Sequence, residues 1–377
     1  MALGRALGGG VDKVLASRVL AAVRAGDPVS AMHRMPGPDP LRRLVRAAGR
    51  SGASDAAVAG ASAAIERYEE FIRDRVGDRS LLEAMLSAWV PTARREFELR
   101  RKQAAFKAMS QIKGAIARVT MATVVLTPSA SGEHIDVVWI NGLIDLYRVR
   151  PGATVKLVSR RFPAPPSASG RAQRGPTTLA GESVSNHPAR LLLEEFSSSP
   201  APELDVRVAG ERAQYTLAGD DFGSDTAKSL VFAEVNRDEL PRYVPAGPAD
   251  VPRRKAFFFA EVMTPSQTLQ FDVLMHRDLY PGQDPALRLY DTAGEGAASA
   301  NDPSRDVDRL DMLETIEPLG LGLRAMRSAD VPRYPELVER VLGGIGASRA
   351  DIRGYRARIG YPIYGSQVMM TFDALTR

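Results

Sequence analysis

Histidine and acidic residues set the limits on what chemistry this chain can do. His33, His134, His187 and His276 are the only histidines, and no two sit at metal-ligand spacing. With no cysteine in the chain, thiolate nucleophiles, iron–sulfur clusters and cysteine zinc sites are excluded. His276 lies in MHRDLYPGQD, residues 275–284, beside Asp278 at the end of a strand-like run. A histidine next to an acid there suits a general base, but no nucleophile or oxyanion donor accompanies it. The stretch NDPSRDVDRLD, residues 301–311, offers Asp302, Asp306, Asp308 and Asp311, enough carboxylates for a hard cation. It lacks calcium-loop spacing, Arg305 and Arg309 neutralise it locally, and Asp302-Pro303 is also an ordinary helix start. Glu234 and Glu261 each follow a Phe-Ala pair and would approach one another if their strands paired. Gly8-Gly9-Gly10 lacks the Lys-Ser/Thr of a phosphate loop, and Gly365-Ser366 lacks the second glycine of a nucleophile elbow. No cofactor and no metal are expected, and the reading leans away from an enzyme; a hydrolase built on His276 or on the 302–311 acids is the catalytic alternative.

Charge gives a second kind of candidate. The net charge is +5, yet residues 1–181 carry 28 Lys and Arg against 15 Asp and Glu, while residues 182–377 carry 22 against 30. The densest basic stretch holds Arg94, Arg95, Arg100, Arg101, Lys102, Lys107, Lys113 and Arg118, with Glu96 and Glu98 as its acids. Further along, Arg148 and Arg150 stand near Trp139 and Tyr147, a combination able to stack bases and neutralise phosphates. These ten cations are the candidate contacts to nucleic acid or another polyanion. By strand alternation Trp139 is expected to face the core.

The elements that must position these residues follow from periodicity. Residues 11–25 read as an amphipathic helix in preference to a transit peptide. A short basic helix is expected after Asp39-Pro40, then a helix of about 22 residues capped by Ser54 and stopped at Gly77. Ser80 and Glu83 form a capping box for the next helix. Residues 92–123 make the longest helical pattern, a possible dimerisation spine with a weak point at Gly114. IDVVWI and LIDLYRV, joined by Asn141-Gly142, read as a hairpin, and ATVKLV as a third strand of a meander. Residues 163–188, rich in Pro, Ser and Gly, read as a linker. Beyond it, LDVRVA and AQYTLA form a hairpin, followed by strands at 229–235, 255–262, 268–276 and 286–292. Helical spacing returns around 303–326 and, more strongly, at 334–346. YRARIGYPIYG and SQVMMTFDAL are expected to close the chain as a hairpin.

The expected fold is therefore α+β. A basic helical domain with a small antiparallel meander (1–162) precedes a linker (163–188) and an acidic, β-rich, sandwich-like domain with a few helices (189–377). No stretch approaches the ~20 apolar residues of a membrane span. Abundant arginine and alanine with little lysine fit a bacterial, cytoplasmic protein. The expected function is non-enzymatic binding: the basic half engages nucleic acid or another polyanion, and the β-rich half holds a ligand or partner, as a regulator would. The alternative is a self-assembling structural protein that oligomerises through the 92–123 helix.

Overall fold

A computed structural model describes residues 11–87, 89, 91–161, 176–184, 191–209, 212–245, 253–322 and 326–377. The architecture is mixed α+β, and the chain divides into two compact units, Met1–Arg101 and Lys102–Arg377. Most of the 163–188 stretch and the Gly210-Glu211 turn lie outside the described residues.

The first unit is helical: α1 (Lys13–Val23), α2 (Pro28–Arg34), α3 (Pro38–Arg50), α4 (Asp55–Phe71), α5 (Arg79–Ser87) and the opening of α6 (Pro91–Lys113). Side-chain caps fix the starts. Asp12 accepts from the Leu15 amide at 2.6 Å, Asp27 from Ser30 at 2.8 Å, Ser54 from Ala57 at 3.3 Å and Asp78 from Leu81 at 2.8 Å. Each satisfies an orphan amide of a first turn. The cap of α5 is thus Asp78, not Ser80, and α2 has no counterpart in the sequence reading. α4 runs into one wide turn, Ile72–Val76, closed by Gly77 at φ +104°. Val11, Leu15, Ala16 and Ala47 form one small core, and Ile72, Leu82 and Leu86 another.

The second unit is built on a six-stranded sheet in the order β10-β11-β8-β1-β2-β6. Its strands are β1 (Ala115–Pro128), β2 (His134–Arg148), β6 (Lys228–Pro241), β8 (Ser266–His276), β10 (Ile316–Leu321) and β11 (Ile352–Gly360). β1 pairs antiparallel with β2 and parallel with β8, so one sheet draws strands from both sides of residues 163–188. On one face lies α7 (Tyr334–Ile345), whose Leu337, Val338, Val341 and Leu342 meet Val125, Val138, Ile140 and Leu274. On the other lies a three-stranded sheet, β7 (Lys255–Glu261), β12 (Ser366–Asp373) and β9 (Ala286–Asp291), in the order β7-β12-β9. Its Phe258, Val368, Met370 and Phe372 pack on Val124, Phe271 and Val273. A third small sheet, ordered β3-β5-β4, contains β3 (Lys156–Arg161), β4 (Leu204–Ala209) and β5 (Arg212–Leu217). Its Leu157, Tyr215 and Leu217 pack with Ala117, Leu143 and Leu230. Each side chain so buried contributes about 1.5–3 kcal/mol.

Five local expectations give way. The 92–123 helix stops at Lys113: Gly114 takes φ +72°, and the β-branched run Val119, Thr120, Thr123, Val124 and Val125 continues as β1, paired on both sides. Asn141-Gly142 is no turn; β2 runs straight through it. Gly142 is required for closeness instead, because a Cβ there would lie 2.9 Å from Met121 Cε and 3.2 Å from the Leu230 carbonyl oxygen. Residues 303–326 supply a short 3-10 turn, Pro303–Asp308, and then β10, not a long helix. β11 and β12 sit in different sheets, so the closing pair is not a hairpin. ATVKLV also leaves the meander, since β3 pairs with β5.

Candidate ligand-binding cleft

The three sheets of the second unit do not cover one another completely. The three-stranded sheet ends at β7, and next to that edge the face carrying Trp139, Asn141 and Phe232 borders a cleft of 290 Å3. β1 contributes Thr120, Met121 and Ala122, β2 contributes Trp139, Asn141, Gly142 and Leu143, and β6 contributes Phe232. β3 adds Leu157, and β7 with the turn after it adds Phe259, Ala260, Glu261, Met263 and Thr264. Alternation explains the selection. Trp139, Asn141 and Leu143 point to one side of β2, while Val138 and Ile140 point to the α7 side. The side chains of Trp139 and Phe232 around small residues, with few polar groups, suit a small-molecule site, while the Phe259 ring packs with Phe257, Tyr290 and Met369 on the other face of the three-stranded sheet. Trp139 is half-buried, packed against the core yet lining the cleft.

Of the two carboxylates that would meet if their strands paired, Glu261 lines the cleft. Glu234 lies opposite Trp139 in the β2–β6 register. Their strands belong to different sheets, so the carboxylates do not form a pair of neighbours on one ladder.

The ten candidate cations scatter. Arg94 pairs with Glu98 at 2.7 Å, Arg100 with Glu96, and Arg101 bonds Ser80 and lies over Phe97. Lys102 is buried against Glu314. Arg118 pairs with Asp145 at 2.5 Å and donates to the Asp330 carbonyl at 2.9 Å. Arg148, 4% exposed, donates to the carbonyls of Ala153 at 2.8 Å and Leu217 at 2.5 Å. It thereby ties β2 to the turn before β3 and to the end of β5. Arg95, Lys107, Lys113 and Arg150 are exposed. By folded unit the charge is also less lopsided than by halves. Met1–Arg101 holds 17 Lys and Arg against 12 Asp and Glu, and Lys102–Arg377 holds 33 of each.

His276 ends β8 on the wall of a wider, polar cavity of 650 Å3, with Thr127, Asp136, Arg237, Asp238 and Asp351. Its Nδ1 accepts from the Asp278 amide at 3.3 Å. Asp136 is held by Arg237 at 2.7 Å and by the Asp238 amide at 2.8 Å, and Asp351 pairs with Arg277 at 3.3 Å. These carboxylates are engaged in structure. Two of the 302–311 acids behave likewise: Asp302 caps the turn through the Ser304 amide at 3.0 Å, and buried Arg305 bonds Asp308 at 2.6 Å. Among the described residues no three His, Asp or Glu side chains converge as a metal would need.

Groups held away from their ordinary range also lie in the core. Burial pushes the Asp272 carboxyl up, against the pull of Arg356, the Tyr334 hydroxyl and the Gln270 amide. Burial also pushes Tyr280 up to about 12. Neither residue lines a cavity described above. No helix among the described residues is long and apolar enough to cross a membrane.

Trp139, Lys113 and Arg150 carry a local signal of aromatic or basic character, whereas Phe232 and Lys156 stand out by nothing in their own neighbourhood. The cleft depends on which strands become neighbours, and β1 meets β8 across more than a hundred residues. Comparison of the chain with protein-family models, with curated proteins and with solved structures finds no match.

Proposed function

We propose that this is a non-enzymatic binding protein whose second unit takes a small, largely apolar ligand into the cleft beside Trp139. The observation that carries this reading is the 290 Å3 space walled by Trp139, Phe232 and the edge of β7 around Thr120, Ala122, Gly142 and Ala260. That volume is near the lower end of ligand pockets, about 300 Å3, and suits a medium-length chain or a small ring system. Of the carboxylates around the wider cavity, Asp136 and Asp351 are engaged with arginines or backbone, which favours binding over catalysis.

The test uses the chain's own reporter. Trp139 is one of two tryptophans, and the other, Trp89, is 79% exposed in the other unit. In a Trp89→Phe background, decanol titration should shift Trp139 emission to shorter wavelength and saturate. An emission spectrum that does not change up to the solubility limit of decanol refutes the reading.

A polyanion reading rests on Arg95, Lys107, Lys113 and Arg150, the exposed members of the basic set. It predicts DNA binding that weakens steeply with salt. Its site would hold fewer cations than the ten expected from sequence, because Lys102 and Arg148 are buried.

A further inference from the structure

The cleft does not end at its apolar wall. A recess of 120 Å3 adjoins it, and Met263 and Thr264 line both spaces. The recess is more polar than the cleft, since Lys113, Lys156 and Tyr364 border it beside Ala115, Val155 and Pro265. Two turns of the chain bring the lysines there. Lys113 is the last residue of α6, where Gly114 reverses the backbone, and Lys156 is the first residue of β3. The Lys113 ammonium lies 5.5 Å from the centroid of the Tyr364 ring, a cation–π contact that restrains it at the recess. Glu261 is the one carboxylate among the residues lining either space.

We infer that the ligand is an amphiphilic carboxylate, with its apolar body in the cleft and its single negative charge in the lysine recess. The inference rests on the binding reading above and adds the head group. Two lysines against one glutamate leave one net positive charge, which matches one carboxylate better than a dianionic phosphate. The recess is also too small for more than a few heavy atoms. Its cations are ammonium groups, which act as point charges without the paired donors of a guanidinium fork. Glu261 disfavours the reversed orientation, in which the carboxylate would enter the apolar space beside it.

The experiment compares decanoate with decanol on the full chain carrying Trp89→Phe, by Trp139 emission at low ionic strength. The two probes share an apolar body and differ in the head group. Decanoate should bind several-fold more tightly than decanol, although its charge resists leaving water. Exposed ion pairs are worth up to about fivefold in affinity each. Lys113→Gln with Lys156→Gln should therefore lower decanoate affinity about tenfold and leave decanol within twofold. Glu261→Gln should tighten decanoate and leave decanol unchanged. Retained decanol binding in the double variant shows that the cleft is still folded. If decanol binds as tightly as decanoate and the lysine variant loses nothing, the inference is overturned while the binding reading stands. If neither probe binds, the binding reading itself falls.

Discussion

The pair most exposed to a decisive test is Asp272 with Arg356, on the α7-facing side of the central sheet. Asp272 is fully buried and Arg356 is 6% exposed. Arg356 Nη2 lies 2.7 Å from Asp272 Oδ2, and its Nε lies 2.9 Å from Oδ1. Tyr334 donates to the same carboxylate at 2.5 Å and Gln270 at 3.2 Å, while Thr123 exchanges a hydrogen bond with Tyr334 at 2.9 Å. Arg356 also donates to the Arg327 carbonyl at 2.7 Å, which anchors the segment leading to α7. Arg356→Met removes the guanidinium and leaves a carboxyl in the core with two neutral donors. Breaking a buried pair this way costs about 3–5 kcal/mol, whereas replacing both partners by apolar groups is often neutral. Asp272→Leu combined with Arg356→Met should therefore be more stable than Arg356→Met alone. The sign with pH is fixed by burial. The folded carboxyl is held above its usual range by burial, so the folded state binds a proton there more tightly than the unfolded chain does. Without Arg356 that difference grows, and the deficit of the single variant should shrink as pH falls from 7 toward about 4. Urea unfolding followed by Trp139 emission, with Trp89→Phe, reports on the second unit alone. An Arg356→Met cost below about 1 kcal/mol, or a double variant as weak as the two singles combined, refutes the argument.

Other expectations are simpler to check. Gly142→Ala should destabilise by about 1–3 kcal/mol through overpacking, because the new methyl has a flexible neighbour in Met121 but a rigid one in the Leu230 carbonyl; thermal unfolding measures it, and a neutral result would mean the β2–β6 approach is looser than described. Tyr280, 3% exposed and stacked on Phe372 at 5.0 Å, is pushed up to about 12 by burial. The unfolded chain releases this proton first as pH passes 10, so the second unit loses up to about 2–3 kcal/mol between pH 10 and 12. Tyr280→Phe should remove that share of the alkaline slope, and an unchanged slope would assign it to other groups. His33 is held low by burial, and its Nδ1 is buried without a hydrogen-bond partner. The first unit should therefore lose stability as pH falls below about 6.5, a trend absent in His33→Gln.

Local signals in this chain were readable wherever a side chain acts on its own backbone. Ser54 as a cap, Gly77 as a stop, the β4–β5 hairpin, Asp302-Pro303 and the α7 stripe all depend on residues within a few positions of one another. The failures share one cause. Asn141-Gly142 has the composition of a tight turn, but the glycine answers to Met121 and Leu230, neither of them a sequence neighbour. The apolar spacing that suggested a helix through residue 123 is produced equally by a strand buried on both faces, as β1 is between α7 and the smaller sheet. Leu310, Leu313, Ile316 and Leu319 repeat every three residues, yet Pro318 and the φ +74° of Gly320 suit an edge strand with a bulge. Basic residues were legible as a class but not by fate: Arg148 and Arg150 are two apart, and the first is buried under carbonyls while the second is exposed.

The same long-range pairing that defeats local reading also accounts for the cleft. A three-stranded sheet cannot cover a six-stranded one, so part of the larger sheet must be faced by something else or left open. The third sheet closes one side through Leu157 and Tyr215, packed with Leu143 and Leu230. What stays open is bounded by Thr120, Ala122, Gly142 and Ala260, all small, and by Trp139, Phe232 and the edge of β7. Ala122 and Ala260 are 4% and 6% exposed, so a Leu or Ile at either could extend into the space and add apolar burial. Large-to-small differences of that kind are worth about 2–5 kcal/mol in a core. A chain selected for stability alone has an easy route to fill the gap. This one keeps small residues at its floor and a half-buried tryptophan at its side, and it sets two lysines at the adjoining recess. That combination lets one end of a bound molecule be dry and the other charged.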